Sequence, residues 1–133
     1  MPIVVDASAI VPLVMDDEDD DTRAASLVHR IQTEGGLVPA LFWYEIRNVL
    51  ARAERTERST PVKRELFLNL VESLSLKYDF PPPSESLFAL IARHPLTVYD
   101  AAYLELALRN QCPLASRDAD LVKAAQAEGL EVV

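Results

Sequence analysis

Short apolar runs alternate with amphipathic stretches along the whole chain. Four runs predict buried strands, at residues 3–5, 37–38, 113–115 and 130–133. Apolar residues at helical spacing, bounded by capping residues, glycine or proline, predict helices at 8–14, 22–34, 40–57, 61–74, 84–93, 97–109 and 118–128. Strands that alternate with helices indicate an α/β domain around a parallel sheet.

The length and composition fit a single domain. The chain has 133 residues, 50% of them hydrophobic, which is enough for one core and unlike a disordered chain. Charged residues interrupt every apolar stretch, and residues 1–6 lack the basic and long apolar segments of a signal peptide. We therefore expect one cytoplasmic domain over residues 1–133, with no membrane span.

Cysteine and histidine are too rare for the metal sites and disulfides that are built from them. Cys112 is the only cysteine, and His29 and His94 are the only histidines. An internal disulfide and a cysteine-built zinc site are excluded, and a site of several histidine ligands is not expected.

The distribution of charge matters more than its total. With 13 basic and 21 acidic residues, the net charge of −8 argues against a protein that holds nucleic acid by bulk charge. Six acids form one block, Asp16, Asp17, Glu18, Asp19, Asp20 and Asp21, and six basic residues lie close together at Arg47, Arg52, Arg55, Arg58, Lys63 and Arg64. The basic segment could meet a polyanion locally, although such charges also occur on ordinary solvated helix faces.

Four acidic residues are predicted near one edge of the sheet. In open α/β sheets, ligands bind beyond the carboxyl ends of the strands. Asp6 ends the first strand, Asp118 follows the strand at 113–115, and Asp100 lies in the first turn of the helix that begins near Thr97. Glu45 lies one turn into the helix after the second strand, among aromatic neighbours that predict partial burial.

Carboxylates that converge at one edge repel one another unless a positive charge lies between them. A divalent cation supplies that charge, and oxygen ligands without histidine favour Mg²⁺ or Mn²⁺ over zinc. The position of a single acid is weak evidence for a metal site, whereas four acids predicted at one edge of the sheet are much stronger evidence.

Each acid also has a purely structural explanation. Asp6 could make a turn, and Glu45 could be an ordinary exposed glutamate. Asp118 could cap the last helix, and Asp100 could form a capping box with Thr97.

The segments around these acids resemble the PIN domain family, and specifically the VapC-type toxin ribonucleases of bacterial and archaeal type II toxin–antitoxin pairs. The matching segments are Val4-Val5-Asp6-Ala7-Ser8-Ala9, Trp43-Tyr44-Glu45-Ile46-Arg47-Asn48, Tyr99-Asp100-Ala101-Ala102-Tyr103-Leu104 and Ala115-Ser116-Arg117-Asp118, with Leu121, Ala124-Ala125 and Gly129-Leu130 further on. They cover essentially the whole chain in the right order. The resemblance implies a three-layer α/β/α fold with a central, mainly parallel sheet. Pro12 and the long acidic block depart from the family pattern, and neither is a predicted ligand.

The resemblance implies a metal-dependent endoribonuclease whose acidic positions correspond to Asp6, Glu45, Asp100 and Asp118. These would hold one or two Mg²⁺ or Mn²⁺ ions, with Glu45 completing the cage or orienting the attacking water. Ser8 and Ser116 match positions whose hydroxyls support such a site. Asn48 and Asp120 are weaker candidates, because both positions are also ordinary on a helix surface.

The resemblance also implies RNA as substrate, a homodimer and a small antitoxin partner. Arg47, Arg52 and Arg55 are the candidates for contacts with the RNA backbone. An apolar stripe is consistent with an interface, although core packing explains much of it: Leu66, Phe67, Leu70, Val71 and Leu74. The acidic block is either a solubilising loop or a charged segment that repels RNA and attracts a basic antitoxin.

Two alternatives stay open at the level of sequence. A haloacid-dehalogenase-like phosphatase also uses a strand-terminal aspartate, but it carries Asp-x-Asp, and Ser8 stands at the second acidic position here. The other alternative is a catalytically silent PIN-like module that binds RNA or protein, and the presence of all four acids argues against it.

Overall fold

The computed structural model describes residues 1–15 and 21–133. The acidic residues 16–20 lie outside the described part, as does the side chain of Asp21. A four-stranded parallel sheet has the strand order β3-β2-β1-β4. Its strands are β1 (Ile3–Val5), β2 (Gly36–Pro39), β3 (Lys77–Asp79) and β4 (Leu114–Ala115).

Within the described residues, six α-helices connect and cover these strands. They are α1 (Asp21–Glu34), α2 (Leu41–Arg55), α3 (Pro61–Ser73), α4 (Ser84–Arg93), α5 (Val98–Asn110) and α6 (Ala119–Ala127). The architecture is the three-layer α/β/α fold with a central parallel sheet, as predicted. The six helices begin and end within two residues of the predicted positions. None of the described helices is long and apolar enough to cross a membrane.

The central strand β1 lies in the middle of the core. Ile3, Val4 and Val5 have no exposed surface, because β2 and β4 flank the strand and helices cover the sheet. Phe42 of α2 and Leu104 of α5 are equally buried and belong to the same apolar cluster. This packing fixes α2 and α5 against the sheet, and both helices carry predicted site residues.

The segment after Asp6 is not the α-helix predicted for residues 8–14. It forms two short 3-10 helices, Ala7–Ala9 and Val11–Leu13. The amide of Val14 donates to the carbonyl of Val11 at 2.9 Å, three residues back instead of four. The prediction was wrong because Pro12 has no N–H with which to continue an α-helical ladder.

The strand predictions were incomplete at both edges of the sheet. β3 was missed, because it is an edge strand with Lys77 and Tyr78 exposed and so lacks the apolar run of a buried strand. The strand predicted at 130–133 is reduced to one parallel bridge between Leu114 and Val132, since the neighbouring β4 is only two residues long.

Candidate active site

The order of the strands creates a crevice beside β1. The chain passes from β1 to β2 and β3 on one side, and β4 then lies on the other side of β1. In a parallel sheet, such a reversal opens a crevice beyond the carboxyl ends of the two strands. Asp6 directly follows β1 and Ser116 directly follows β4, so the two residues meet there.

Two serines hold the carboxylate of Asp6. The hydroxyls of Ser8 and Ser116 each donate a hydrogen bond to its Oδ2, at 2.7 Å in both cases. The backbone amide of Arg117 donates to Oγ of Ser8 at 2.9 Å, and that of Asp118 donates to Oγ of Ser116 at 3.0 Å. Both predicted supporting serines therefore contact Asp6 and link it to the loop that begins α6.

Asp6 is the most buried of the four acids, with 7% of its surface exposed. Burial raises the pKa of its carboxyl group above the usual range, and the hydrogen bonds from Ser8 and Ser116 partly offset this rise. The negative charge of Asp118 raises the pKa further. Asp6 is therefore a buried carboxylate that is stabilised by hydrogen-bond donors, and no ion pair found among the described residues includes it.

Glu45 of α2 is half-buried and is held by Tyr103 of α5. The phenol hydroxyl of Tyr103 donates a hydrogen bond of 2.5 Å to Oε1 of Glu45. Burial raises the pKa of Glu45, the bond from Tyr103 lowers it, and the charges of Asp6 and Asp100 raise it again. Burial and the adjacent Glu45 raise the pKa of Tyr103 far above that of a free phenol, so the hydroxyl keeps its proton at neutral pH.

Asp100 and Asp118 each take part in the cap at the start of a helix. Oγ1 of Thr97 accepts a hydrogen bond of 3.1 Å from the amide of Asp100 at the start of α5. Oδ1 of Asp118 accepts a bond of 2.9 Å from the amide of Leu121 at the start of α6. The structural explanations offered for both acids are therefore confirmed, and they fix both residues at the same edge of the sheet.

The four acids act on one another electrostatically. Burial raises the pKa of Asp100, hydrogen bonding of its carboxylate to the side chain and backbone of Thr97 lowers it, and the charges of Asp118 and Asp6 raise it. None of the ion pairs among the described residues contains Asp6, Glu45 or Asp100. Within the same part of the chain, no three acidic, histidine or cysteine side chains already form a coordination shell. The acids share one electrostatic field without forming a preassembled metal cage.

The remaining predicted residues lie around this centre. Asn48 is exposed on α2, and Asp120 is exposed in the first turn of α6. The guanidinium of Arg47 lies 3.6 Å from the centre of the Trp43 ring and donates to the carbonyl of Trp43 at 3.0 Å. Arg52 and Arg55 are exposed in the last turn of α2, about 10–15 Å along the helix from Glu45 at 1.5 Å per residue.

Sequence reasoning did not select Tyr103 as a site residue. The tyrosine lies three residues after Asp100 in the Tyr-Asp-Ala-Ala-Tyr segment, which places it one turn further along the same face of α5. The sequence did offer one signal. Tyr103 stands in an apolar stretch that predicts burial, and a buried hydroxyl needs a hydrogen-bond partner.

The family model of the PIN domain matches residues 3–127, almost the whole chain. The chain belongs to the PIN domain family. Among curated proteins it is similar to Ribonuclease VapC3 of Pyrobaculum aerophilum, with 31% identity over 131 residues that cover 92% of this chain and 94% of the relative.

Two solved structures share the fold at low sequence identity. The structure of PAE2754 from Pyrobaculum aerophilum has a TM-score of 0.71 and 23% identity, and the match covers 100% of this chain and 90% of that one. The structure of FitAcB from Neisseria gonorrhoeae has a TM-score of 0.65 and 17% identity, and covers 98% and 95% of the two chains. Both likenesses support the three-layer architecture.

Proposed function

We propose that this protein is a metal-dependent endoribonuclease and the toxin of a toxin–antitoxin pair. The observation that supports the proposal is the mutual electrostatic influence of Asp6, Glu45, Asp100 and Asp118, since the charges of neighbouring acids raise the pKa of three of them. Membership of the PIN domain family and the 31% identity to a relative named a ribonuclease support this reaction class.

The donor set fits Mg²⁺ or Mn²⁺. All four side chains offer oxygen, the ligand that these ions prefer. The hydrogen bonds of the described residues engage one oxygen of Glu45 and one of Asp118, which leaves the second oxygen of each for a ligand. Because the acids do not already form a coordination shell, their side chains must move together to hold an ion.

The proposed roles follow from how each side chain is held. Asp6, Asp100 and Asp118 would hold the cation, and Ser8 and Ser116 keep the carboxylate of Asp6 in one orientation. When bound, the cation lowers the pKa of a water molecule and neutralises charge on the phosphate.

Glu45 and two exposed residues at the edge of the site have the remaining proposed roles. Glu45 would complete the cage or orient the attacking water. The oxygen of that water bonds to phosphorus as the bond from phosphorus to the leaving ribose oxygen breaks, and the leaving oxygen takes up the proton that the water loses by way of solvent. Asn48 and Asp120 are exposed and contribute at the rim.

The arginines of α2 are the proposed contacts for the RNA backbone. Arg52 and Arg55 are exposed and can contact phosphates, whereas Arg47 must first leave the Trp43 ring.

We also propose that the protein forms a homodimer and binds a small antitoxin. Three residues of the predicted apolar stripe, Phe67, Val71 and Leu74, belong to the core, and the exposed apolar surface of α3 consists of Val62 and Leu66.

The catalytic proposal is tested with purified protein and a mixed RNA pool. Cleavage, followed by sequencing of new 5′ ends, is expected with Mn²⁺ or Mg²⁺ and not with excess EDTA. Asp6→Asn should be inactive, while Glu85→Gln, which removes an exposed acid from the first turn of α4, should cleave like the wild type. RNA that is bound but never cut under any metal condition would instead indicate a silent binding module.

The partner proposal has a separate test. Light scattering should give a mass near twice the 14.8 kDa of one chain, and a small protein encoded beside this chain should suppress its toxicity on co-expression. A monomer at micromolar concentration would contradict the dimer, and undiminished toxicity would contradict the antitoxin.

A further inference from the structure

Tyr103 connects the interior of the protein to Glu45. Its hydroxyl lies 2.5 Å from Oε1 of Glu45, although the two residues are 58 positions apart in the sequence. Tyr103 is 1% exposed and is among the largest fully buried side chains of the described chain. The bond therefore joins a rigid core residue of α5 to a half-buried carboxylate of α2.

The two side chains differ in torsional freedom, and this difference decides which of them positions the other. Glutamate has three side-chain torsions and loses considerable rotamer entropy when it is ordered. The ring of Tyr103 has two torsions, and core packing restricts both. Tyr103 is therefore the fixed partner, and Glu45 is the partner that becomes positioned.

Core packing alone does not explain the hydroxyl. Phenylalanine would fill nearly the same space, and a buried hydroxyl costs stability unless it forms a hydrogen bond. Among the described residues, the side-chain partner of this hydroxyl is Glu45, of which it engages one carboxylate oxygen, and the backbone of Ala7 also interacts with the hydroxyl. The second oxygen is left for the acidic edge, where Glu45 experiences the charges of Asp6 and Asp100.

We infer that Tyr103 is a positioning residue, which holds the carboxylate of Glu45 by one oxygen so that the other faces the catalytic edge. This inference rests on the proposed nuclease function. Tyr103 acts through Glu45 and does not itself touch the RNA or the cation. A freely rotating Glu45 would spend less time in the productive orientation. Its loss of orientation should therefore lower kcat while changing KM little.

The test begins with Tyr103→Phe in the full chain. We expect kcat for RNA cleavage to fall by about 10- to 100-fold, with KM changed less than about twofold. The rise in melting temperature that Mn²⁺ produces without RNA should also become smaller. Tyr78→Phe on β3 is the matched control, since it removes a phenol hydroxyl two strands away from β1 and should leave both readouts unchanged.

A double-mutant cycle separates positioning from general support of the fold. In a Glu45→Ala background, Tyr103→Phe should reduce neither the residual activity nor the Mn²⁺-induced shift any further. Equal losses in both backgrounds would show that Tyr103 supports the fold independently of Glu45 and would overturn the inference.

Glu45→Asp provides the reciprocal variant if Tyr103→Phe does not fold. It keeps the charge but shortens the side chain by one methylene, so it should lose the bond and show the same fall in kcat. Full activity of a folded Tyr103→Phe or of Glu45→Asp would overturn the inference while leaving the nuclease proposal intact. Absence of cleavage by the wild type with either metal would contradict the nuclease proposal itself.

Discussion

Ser116 donates a hydrogen bond of 2.7 Å to Oδ2 of Asp6, across 110 residues of sequence. The bond joins the loop after β4 to the residue after β1, the two strands between which the crevice opens. The same Ser116 oxygen accepts the amide of Asp118, so one hydroxyl links two of the four acids. The edge of the sheet is therefore built as a hydrogen-bonded unit.

Replacing Ser116 with alanine should destabilise the protein by about 1–2 kcal/mol, because the buried carboxylate of Asp6 and the partly buried amide of Asp118 each lose a partner. Chemical denaturation checks this value. Ser73→Ala is the control: its hydroxyl donates to the carbonyl of Leu70 at an exposed position, so the free energy of unfolding should change by less than about 0.5 kcal/mol. Equal effects of the two substitutions would show that the Ser116 bonds add nothing specific.

Asp6→Asn should abolish cleavage and leave the metal-free protein at least as stable as the wild type. The substitution removes a buried charge whose pKa burial raises and for which the described residues supply no ion pair, and the asparagine carbonyl can still accept both serine hydroxyls. We expect the melting temperature to rise by roughly 2–5 °C, as about 1 kcal/mol would produce in a domain of this size. A clear fall in melting temperature would indicate that the ionised Asp6 stabilises the fold.

The stability difference between Asp6→Asn and the wild type should depend on pH. The pKa of Asp6 is raised in the folded protein, so its ionisation costs stability as the pH rises from its ordinary value through the raised one. The two proteins should melt alike near about pH 4 and diverge toward neutrality, with the variant more stable. Thermal melts in EDTA across this range provide the measurement, and a constant difference would contradict the assignment.

Glu128→Gln provides a control of opposite sign. His94 and Arg93 bond to Glu128 and hold its pKa below the ordinary value. Its ionised form therefore stabilises the fold above the ordinary pKa, and that contribution is lost as the pH falls through the lowered one. Glu128→Gln should melt below the wild type at neutral pH, with the difference disappearing in acid.

Divalent cations should stabilise the wild type more than variants that lack one acid. At a hundredfold excess over the dissociation constant, a bound ion adds about 2.7 kcal/mol to the free energy of unfolding. Asp100→Asn and Asp118→Asn should each lose most of this gain, and asparagine remains able to cap α6 at position 118. Melting curves with Mn²⁺, Mg²⁺ and EDTA provide the comparison. Equal metal-induced shifts in the wild type and both variants would rule out this site.

Local patterns in the sequence were sufficient for most of the fold. The apolar spacing of α1 to α6, the glycine and proline boundaries, and the buried run of β1 are properties of short segments, so they can be predicted without knowing any long-range contact. The same holds for Thr97 and Asp118 as caps, because each bonds to an amide three residues away. The expectation that Asp6 lies at the carboxyl edge follows directly from its position after β1.

Only the tertiary structure decided the contacts between distant segments. β3 forms because β2 offers a free edge, and the 3-10 helices after Asp6 are shaped by Pro12 and by packing under α1. The division of the α3 stripe into buried Phe67 and exposed Leu66 depends on which face meets the core. The bonds from Ser116 to Asp6 and from Tyr103 to Glu45 span 110 and 58 residues, and no local pattern encodes them, because each depends on how the strands and helices pack together.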